Sequence, residues 1–595
     1  VARGHHSELG GIAPASMPSY SRLLCEEGVV ISSYKIVQGV GSRLTSNLVQ
    51  NGEKIDLSQP YFDEKGFTAL LLRPSPCGHP DCVGSRNIYD NLNDLRAQIA
   101  ANNRGIRLVK QLVIDQGVNK IISYMFHIQN TSEQSARELL KNAAKTYFYQ
   151  QRASQHKRSP QQSPYSPSQL PEIVNLPCTV DYMDDGTAIQ LQVSINTRTG
   201  DARFDFSGTG PNVLGNTNAP LSVVRSAIIY CIRVMVEHNA TNQAKLQQLE
   251  ESESTSGDKH KPKVHNTNIP LNQGLLIPVT IIIPPNTLLS PHPKLGVVGG
   301  NVLTSQRITD VILYAFQIAA NSSGCMNNFS FGSKDNKPAP PPQQSLFADD
   351  NQKSSPQLSN TIPDYGFYET ICGGYGATAF NNGVSATHCH MTNTLITDSE
   401  ILERKYPVLL RRFHIREGSG GLGHMCGGEG VLREVQFLND TIHVNILSER
   451  RSRQPNGICG GGDAQPGVNL RIQYTNPSTD HSTTNPVSLL LQQYESPSPS
   501  SPEAIPSSAT GGLDYIYDLT DGDKIFTNLG GKNQFKCTDR SYGIWIITPG
   551  GAGFGPVSTR AETVLPQSLD DIVEIGREHT HIGSVAQFKY TQDLQ

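Results

Sequence analysis

Charge and apolar residues are both scarce. Only 17% of the 595 residues are charged, 36% are hydrophobic and a single tryptophan is present. Both fractions are low for one compact domain, and 53 glycines and 38 prolines imply many turns and loops. No long basic run occurs and the net charge is −4, which argues against a nucleic-acid or anionic-membrane partner. The longest apolar run, GLLIPVTIIIPP at Gly274–Pro285, is too short to span a bilayer and is interrupted by proline. The opening VARGHHSELGG has no apolar signal-like run, and its first residue, Val1, falls mid-motif, so a fragment is expected. Eleven scattered cysteines, an odd number, fit reduced thiols in the cytosol better than a disulfide framework. Cys77-Gly-His-Pro-Asp-Cys82 crowds two cysteines and a histidine, one ligand short of a zinc site. There is no GxxxxGK[ST] phosphate loop.

What is present divides into ordered stretches and polar insertions. Four low-complexity segments, about 150–175, 238–268, 333–360 and 474–510, are expected to be disordered insertions in one domain spanning 1–556, with a polar tail at 557–595. Residues 28–70 suggest mixed strand and loop, with Phe67–Leu72 as one apolar run. Asn87–Leu140 is the clearest helical region. Leu92, Leu95 and Ile99 fit one helix face, Ile106, Val109, Leu112 and Val113 a second helix after Gly105, and a third helix is expected from about Val118 to Lys145. Ala188–Ile195 and Asp201–Phe206 read as hairpin strands across an NTRTG turn, followed by a helix over Leu221–Val236. Gly274–Ile283 reads as a buried strand, Ser399–Tyr406 as a short helix capped by Asp398 or Ser399, and Arg433–Ser448 as two strands. Helices cluster without regular βαβ alternation, so the expected class is α+β.

The densest chemistry lies in Tyr365–Glu434. His388, His390, Asn393, Thr394, Glu400 and Glu403 crowd between glycine runs that could either line a site or form tight turns in irregular β structure. Elsewhere, Gly300 and Asn301 open a helix carrying Arg307, a possible cradle for a carboxylate or phosphate; a capped core helix is the alternative. His5 and Glu8, three apart, make a partial divalent-metal site or a solvated chain end.

Several stretches resemble the hydantoinase B/5-oxoprolinase family. They include HHSELGGIAPASMP at 5–18, DNLNDLRAQIAANNRGI within 84–106, FDFSGTGPNVLGNTNAP ending at 220 and GGNVLTSQRITDVIL at 299–313. YETICGG, THCHMTNT, ITDSEILERKYPVLLRRF and GSGGLGHMCGGEGVLRE follow within the central stretch, and TPGGAGFG lies at 548–555. The resemblance implies ring opening of 5-oxo-L-proline to L-glutamate, coupled to ATP, within glutathione metabolism. It also implies that ATP is bound by a hydantoinase A-like part outside this sequence, as domain or subunit, and that the assembly is a homo-oligomer in the cytosol. Hydantoin hydrolysis, ketone carboxylation and an inactive partner-binding copy stay open. By the same resemblance His5 and Glu8 would be metal ligands, with Glu8 where the family usually has Asp. His390 would be the general base or polarise the water. Asn393 and Thr394 would hydrogen-bond the lactam or its oxyanion, and Glu400 belongs to the same catalytic group. Gly300, Asn301 and Arg307 would hold the substrate carboxylate. Cys372, Cys389 and Cys426 depart from the family pattern, the last replacing an arginine.

Overall fold

The computed structural model describes residues 1–4, 6, 8–38, 49–50, 53–54, 61–73, 78–158, 170–235, 270–333, 365–439, 441–474, 518–521 and 524–557. Most of the four expected insertions, and the tail from 558, lie outside the described residues, as does His5.

Among the described residues three larger sheets, two two-stranded pairings and six principal helices make a mixed α+β fold. The first sheet is built on Ala188–Asn196, where AIQLQVSIN buries alternate residues Ile189, Leu191, Val193 and Ile195. It pairs antiparallel with Ala202–Asp205, placing Ile195 opposite Ala202, and Val279–Ile282 adds in parallel beyond. Helix α4 (221–235), helix α5 (Ser305–Ala315) and the later part of helix α3 (Val118–Arg158) contribute to the same apolar core as this sheet. The second sheet orders Gly366–Thr370, Asn328–Ser333, Ile442–Leu447 and Lys532–Lys536. The third is antiparallel, with Gly430–Phe437, Tyr542–Ile547 and Val468–Tyr474 at its centre. The two strands expected within Arg433–Ser448 therefore join different sheets, and both are almost wholly buried.

Several boundaries differ from expectation for local reasons. Phe67–Leu72 belongs to helix α1 (Glu64–Leu72), because Asp63 caps it and Phe67 and Leu71, four apart, share its buried face. Gly105 does not break helix α2, which runs from Ile88 to Gln116; a Cβ there would meet open space, so the position asks for no special turn. The break falls instead at Gly117, at φ 81°, and α3 extends well past Lys145. Only Val279–Ile282 of the expected Gly274–Ile283 strand is extended, because Asn272 caps a short 3-10 turn ahead of it. Helix α6 (Ser399–Lys405) forms as expected, with the Asp398 carboxylate accepting from the Glu400 and Ile401 amides at 2.9 and 3.3 Å.

Candidate functional site

The glycine runs of the central stretch pack backbone on backbone. Gly374 N–H donates to Pro549, Gly428 N–H to Tyr375 and Gly551 N–H to Gly428, at 3.1, 2.9 and 2.8 Å. A Cβ on Gly427 would sit 1.7 Å from the Gly551 carbonyl oxygen, and one on Gly374 2.0 Å from that of Gly428. These glycines are required by close approach of three loops to one another. Their knot fixes the position of Tyr375 and of the turn that carries His390.

His390 adopts φ 45°, a left-handed conformation uncommon for a side chain of this size, and its ring is fully enclosed. Its Nδ1 lies 3.0 Å from the Tyr375 hydroxyl and 3.3 Å from that of Tyr230, and the two hydroxyls are 3.0 Å apart. Its Nε2 lies 3.3 Å from Asp310 Oδ1. A carboxylate only accepts, so Asp310 favours the proton on Nε2 and leaves Nδ1 to accept from a phenol. Burial pushes the Tyr230 phenol up to about 12 and Tyr375 well above its ordinary value, so both hydroxyls stay protonated donors near neutral pH. Both tyrosines are only partly buried, unlike the histidine ring behind them. Tyr230 comes from α4, Asp310 from α5 and Tyr375 from the glycine knot. Tyr230, 160 residues from His390, carried no signal in the sequence, and Tyr375, 15 residues before it in the central stretch, is marked there by no periodicity or motif spacing.

Arg307 stands in a different environment from the one expected. It is 0% exposed, and its guanidinium lies 3.5 Å from Asp181, 3.6 Å from Asp184 and 3.4 Å from Glu449. Arg450 sits beside it, 2.6 Å from Asp181 and 3.2 Å from Asp310, and Lys532 is 3.5 Å from Glu449. Burial pushes the Asp181 carboxyl up, but Arg450 and Arg307 overcome this and hold it below the ordinary carboxylate range. Burial, reinforced by Asp184, pushes Glu449 upward. Arg307 is thus occupied by the protein's own carboxylates and not open to a substrate's. Gly300 starts a single π-type turn, Gly300–Thr304, ahead of α5, but its N–H donates to the Asn216 and Val297 carbonyls instead of facing an anion; Asn301 is exposed.

Asn393, Thr394 and Glu400 lie on the exposed side of the segment that follows His390. Thr394 bonds the Thr370 hydroxyl, and His388 Nε2 lies 3.1 Å from the Thr370 carbonyl oxygen. Cys372 and Cys389 are core thiols, pushed by burial up to about 11 and about 12, whereas Cys426 is exposed.

Glu8 does not fit a metal ligand in this arrangement. Its Oε1 accepts from Gly10 N–H at 2.8 Å and from Arg86 at 2.9 Å, and its Oε2 accepts from Ala15 N–H at 2.7 Å. A guanidinium in direct contact competes with any added cation. Among the described residues no group of three or more His, Cys, Asp or Glu side chains is arranged to hold a metal ion. No described helix is long and apolar enough to cross a membrane.

5-Oxoprolinase 1 of Arabidopsis thaliana is 41% identical over 473 residues, covering 79% of this chain and 30% of that protein. 5-Oxoprolinase of Dictyostelium discoideum is 35% identical over 93% of this chain and 31% of its own length. The chain spans about a third of the length of these curated relatives. The nucleotide-free structure of acetone carboxylase superposes with a TM-score of 0.56 at 14% identity, over 99% of this chain and 69% of that one, a likeness of fold. The model of the hydantoinase B/oxoprolinase family matches residues 1–252 and 261–557, nearly all of the described fold with its His390 cluster and glycine knot, and the chain belongs to that family.

Proposed function

We propose that this chain supplies the ring-opening half of a 5-oxoprolinase, converting 5-oxo-L-proline, ATP and water to L-glutamate, ADP and phosphate. It does so with a hydantoinase A-like part that binds the ATP. The similarity to named 5-oxoprolinases supports the substrate. The observation that carries the chemistry is the Asp310–His390–Tyr375–Tyr230 cluster, with contacts of 3.3, 3.0 and 3.0 Å along it.

A five-membered lactam is a poor electrophile. Transfer of the γ-phosphoryl group to its amide oxygen activates the ring carbon, and water adds to that carbon. The ring C–N bond breaks as the nitrogen takes up protons and leaves as the amine, and a second water cleaves the resulting γ-glutamyl phosphate to L-glutamate and phosphate. His390 takes the proton of the attacking water. Because its ring is enclosed, the proton passes by way of Tyr375, whose hydroxyl proton moves to Nδ1 as the phenol oxygen receives one from water. Tyr230 donates to the same oxygen or to the lactam. Asp310 holds the ring and stabilises the imidazolium that forms, and Arg450 holds Asp310. Asn393 and Thr394, the latter also bonded to Thr370, are exposed and would hydrogen-bond the lactam, and Glu400 is an exposed carboxylate nearby in sequence.

The test is 5-oxoproline-dependent ATP hydrolysis with glutamate detection, on the chain alone and mixed with a hydantoinase A-like partner. Coupled release of glutamate and ADP only in the mixture is expected. A mixture that hydrolyses ATP without forming glutamate, or that does neither, overturns the proposal.

A further inference from the structure

Helix α5 turns a second polar side chain toward His390. Gln306 lies four residues before Asp310, so the two share a face of the helix. Gln306 is fully buried. Its Nε2 donates to the Cys389 carbonyl oxygen at 3.0 Å and to the Thr392 hydroxyl at 2.9 Å. A carbonyl only accepts, so the amide nitrogen faces these partners, and both of its N–H bonds are used. Cys389 and Thr392 are the two ends of one turn, closed by the Thr392 N–H donating to the Cys389 carbonyl at 3.1 Å. His390 is the first residue inside that turn and holds φ 45°. Gln306 therefore clamps both ends of a turn whose inner residue sits in a conformation that side chains other than glycine's seldom adopt. On its other side the turn is tied to the glycine knot, where the Cys389 thiol donates to the carbonyl of Gly374, the residue before Tyr375, at 3.4 Å.

We propose that Gln306 is a positioning residue for His390: it fixes the backbone of the turn while Asp310, one helical turn along α5, fixes the ring. This rests on the reading above, in which His390 takes the proton by way of Tyr375. Two observations favour it over an amide that only fills space in the core. The Gln306 Oε1 is buried and has no hydrogen-bond partner among the described residues. An apolar side chain of the same length would avoid that cost, so the amide serves at its nitrogen end alone. The second observation is how little slack the ring has. Its Nδ1 lies 3.0 Å from the Tyr375 hydroxyl and its Nε2 3.3 Å from Asp310 Oδ1, the latter already at the long end of a hydrogen bond. The two partners stand on different elements, α5 and the glycine knot, and a small drift of the turn toward either loses the other. Gln306 sets the turn's place on α5, and so the alignment of Asp310, His390 and Tyr375.

The experiment is a double-mutant cycle on coupled glutamate formation, with the full chain in complex with a hydantoinase A-like partner. The unaltered chain, Gln306→Met, His390→Ala and the double variant are compared, each checked for folding by its urea midpoint. Methionine keeps the length of the side chain and removes the donor. Gln306→Met is expected to lower kcat by roughly 10–100-fold, the cost of misplacing a reacting group by a fraction of its contact distance. The KM for 5-oxoproline should stay within about threefold, since Gln306 touches no substrate. Added to His390→Ala it should cause no further loss, because a residue that acts through His390 then has nothing left to position. A Gln306→Met chain with unaltered kcat overturns the proposal. So does an equal loss in both backgrounds, which is what an amide with a purely structural role gives. Full activity in His390→Ala overturns the proton path and this role with it, and an unaltered complex that forms no glutamate overturns the proposed reaction itself. Should Gln306→Met fail to fold, Thr392→Val, nearly isosteric and lacking one of the two acceptors, takes its place in the cycle. A loss confined to the background that retains His390 supports the proposal; no loss, or the same loss in both, refutes it.

Discussion

Arg450→Met tests whether the buried charges hold the site together. Arg450 is fully buried and is a shared partner of Asp181 and Asp310, at 2.6 and 3.2 Å. Methionine keeps much of the volume and removes the charge, leaving both carboxylates buried and short of a cation. Breaking a buried pair from one side costs about 3–5 kcal/mol, most of it the desolvation of the stranded partner. Trp545, the single tryptophan, is buried in the third sheet and reports unfolding in urea by fluorescence. The sign of the pH dependence follows from Asp181. In the unaltered chain its carboxyl is held below the ordinary range, so its contribution is present at pH 5 and above and is lost only as the pH falls through that lowered value. In the variant Arg307 stays 3.5 Å from Asp181, but without Arg450 the carboxyl rises from its lowered value. The deficit is then full near neutral pH and shrinks as the pH falls through the acidic range in which Asp181 is protonated. Adding Asp181→Asn removes one stranded charge and recovers at least half of the loss. A loss under about 1 kcal/mol at pH 7 would refute the reasoning.

Other expectations follow from the same geometry. His390→Ala and Tyr375→Phe, in the complex with a hydantoinase A-like partner, each lower coupled glutamate formation by roughly 10²–10⁴-fold, the range of a positioned proton acceptor, while their urea midpoints are compared for folding. Unchanged turnover in either removes it from the proton path. His390→Gly should be about 1 kcal/mol more stable than His390→Ala, since both lose the ring but only glycine relieves the φ of 45°. Burial raises Glu27 from its ordinary 4.5 to about 7, so the folded state retains a proton that the unfolded chain has lost. Stability therefore falls by about 3 kcal/mol as pH rises from 4.5 to 7 and levels off above, and Glu27→Gln lacks this dependence in urea titrations. Gly427→Ala places a methyl 1.7 Å from the Gly551 carbonyl oxygen and should yield little soluble protein, whereas Gly105→Ala, in open space on α2, is expected to be stabilising in the same expression and melting assays.

The parts of the fold legible in the sequence are those set by local period or local capping. Ala188–Asn196 alternates strictly, and its hairpin partner was expected within a residue or two. Asp398 signals α6 through its own hydrogen bonds. Misplaced boundaries were those where a glycine or an apolar run admits two readings. Gly105 and Gly117 look alike as residues, yet only Gly117 occupies a left-handed conformation. Phe67–Leu72 is apolar enough for strand or helix, and the cap at Asp63 decides for helix.

The candidate site divides differently between sequence and structure. THCHMTNT marks His390, but the residues that give His390 its chemistry lie 15, 80 and 160 positions away, at Tyr375, Asp310 and Tyr230. No period in the chain brings these together; the glycine knot, α5 and α4 do. Arg307 shows the converse. At a helix start beside glycine it reads as an anion cradle, and the anions it meets are Asp181, Asp184 and Glu449, up to 142 residues distant. Both α5 residues serve one end. Arg307 and Arg450 both face Asp181, Arg450 also reaches Asp310 at 3.2 Å, and Asp310 Oδ1 lies 3.3 Å from His390 Nε2, where it favours a proton. On the proposed proton path the buried charges are tied to His390 through one guanidinium, and Arg450→Lys, which keeps the charge but not the fork, should lower turnover more than it lowers stability.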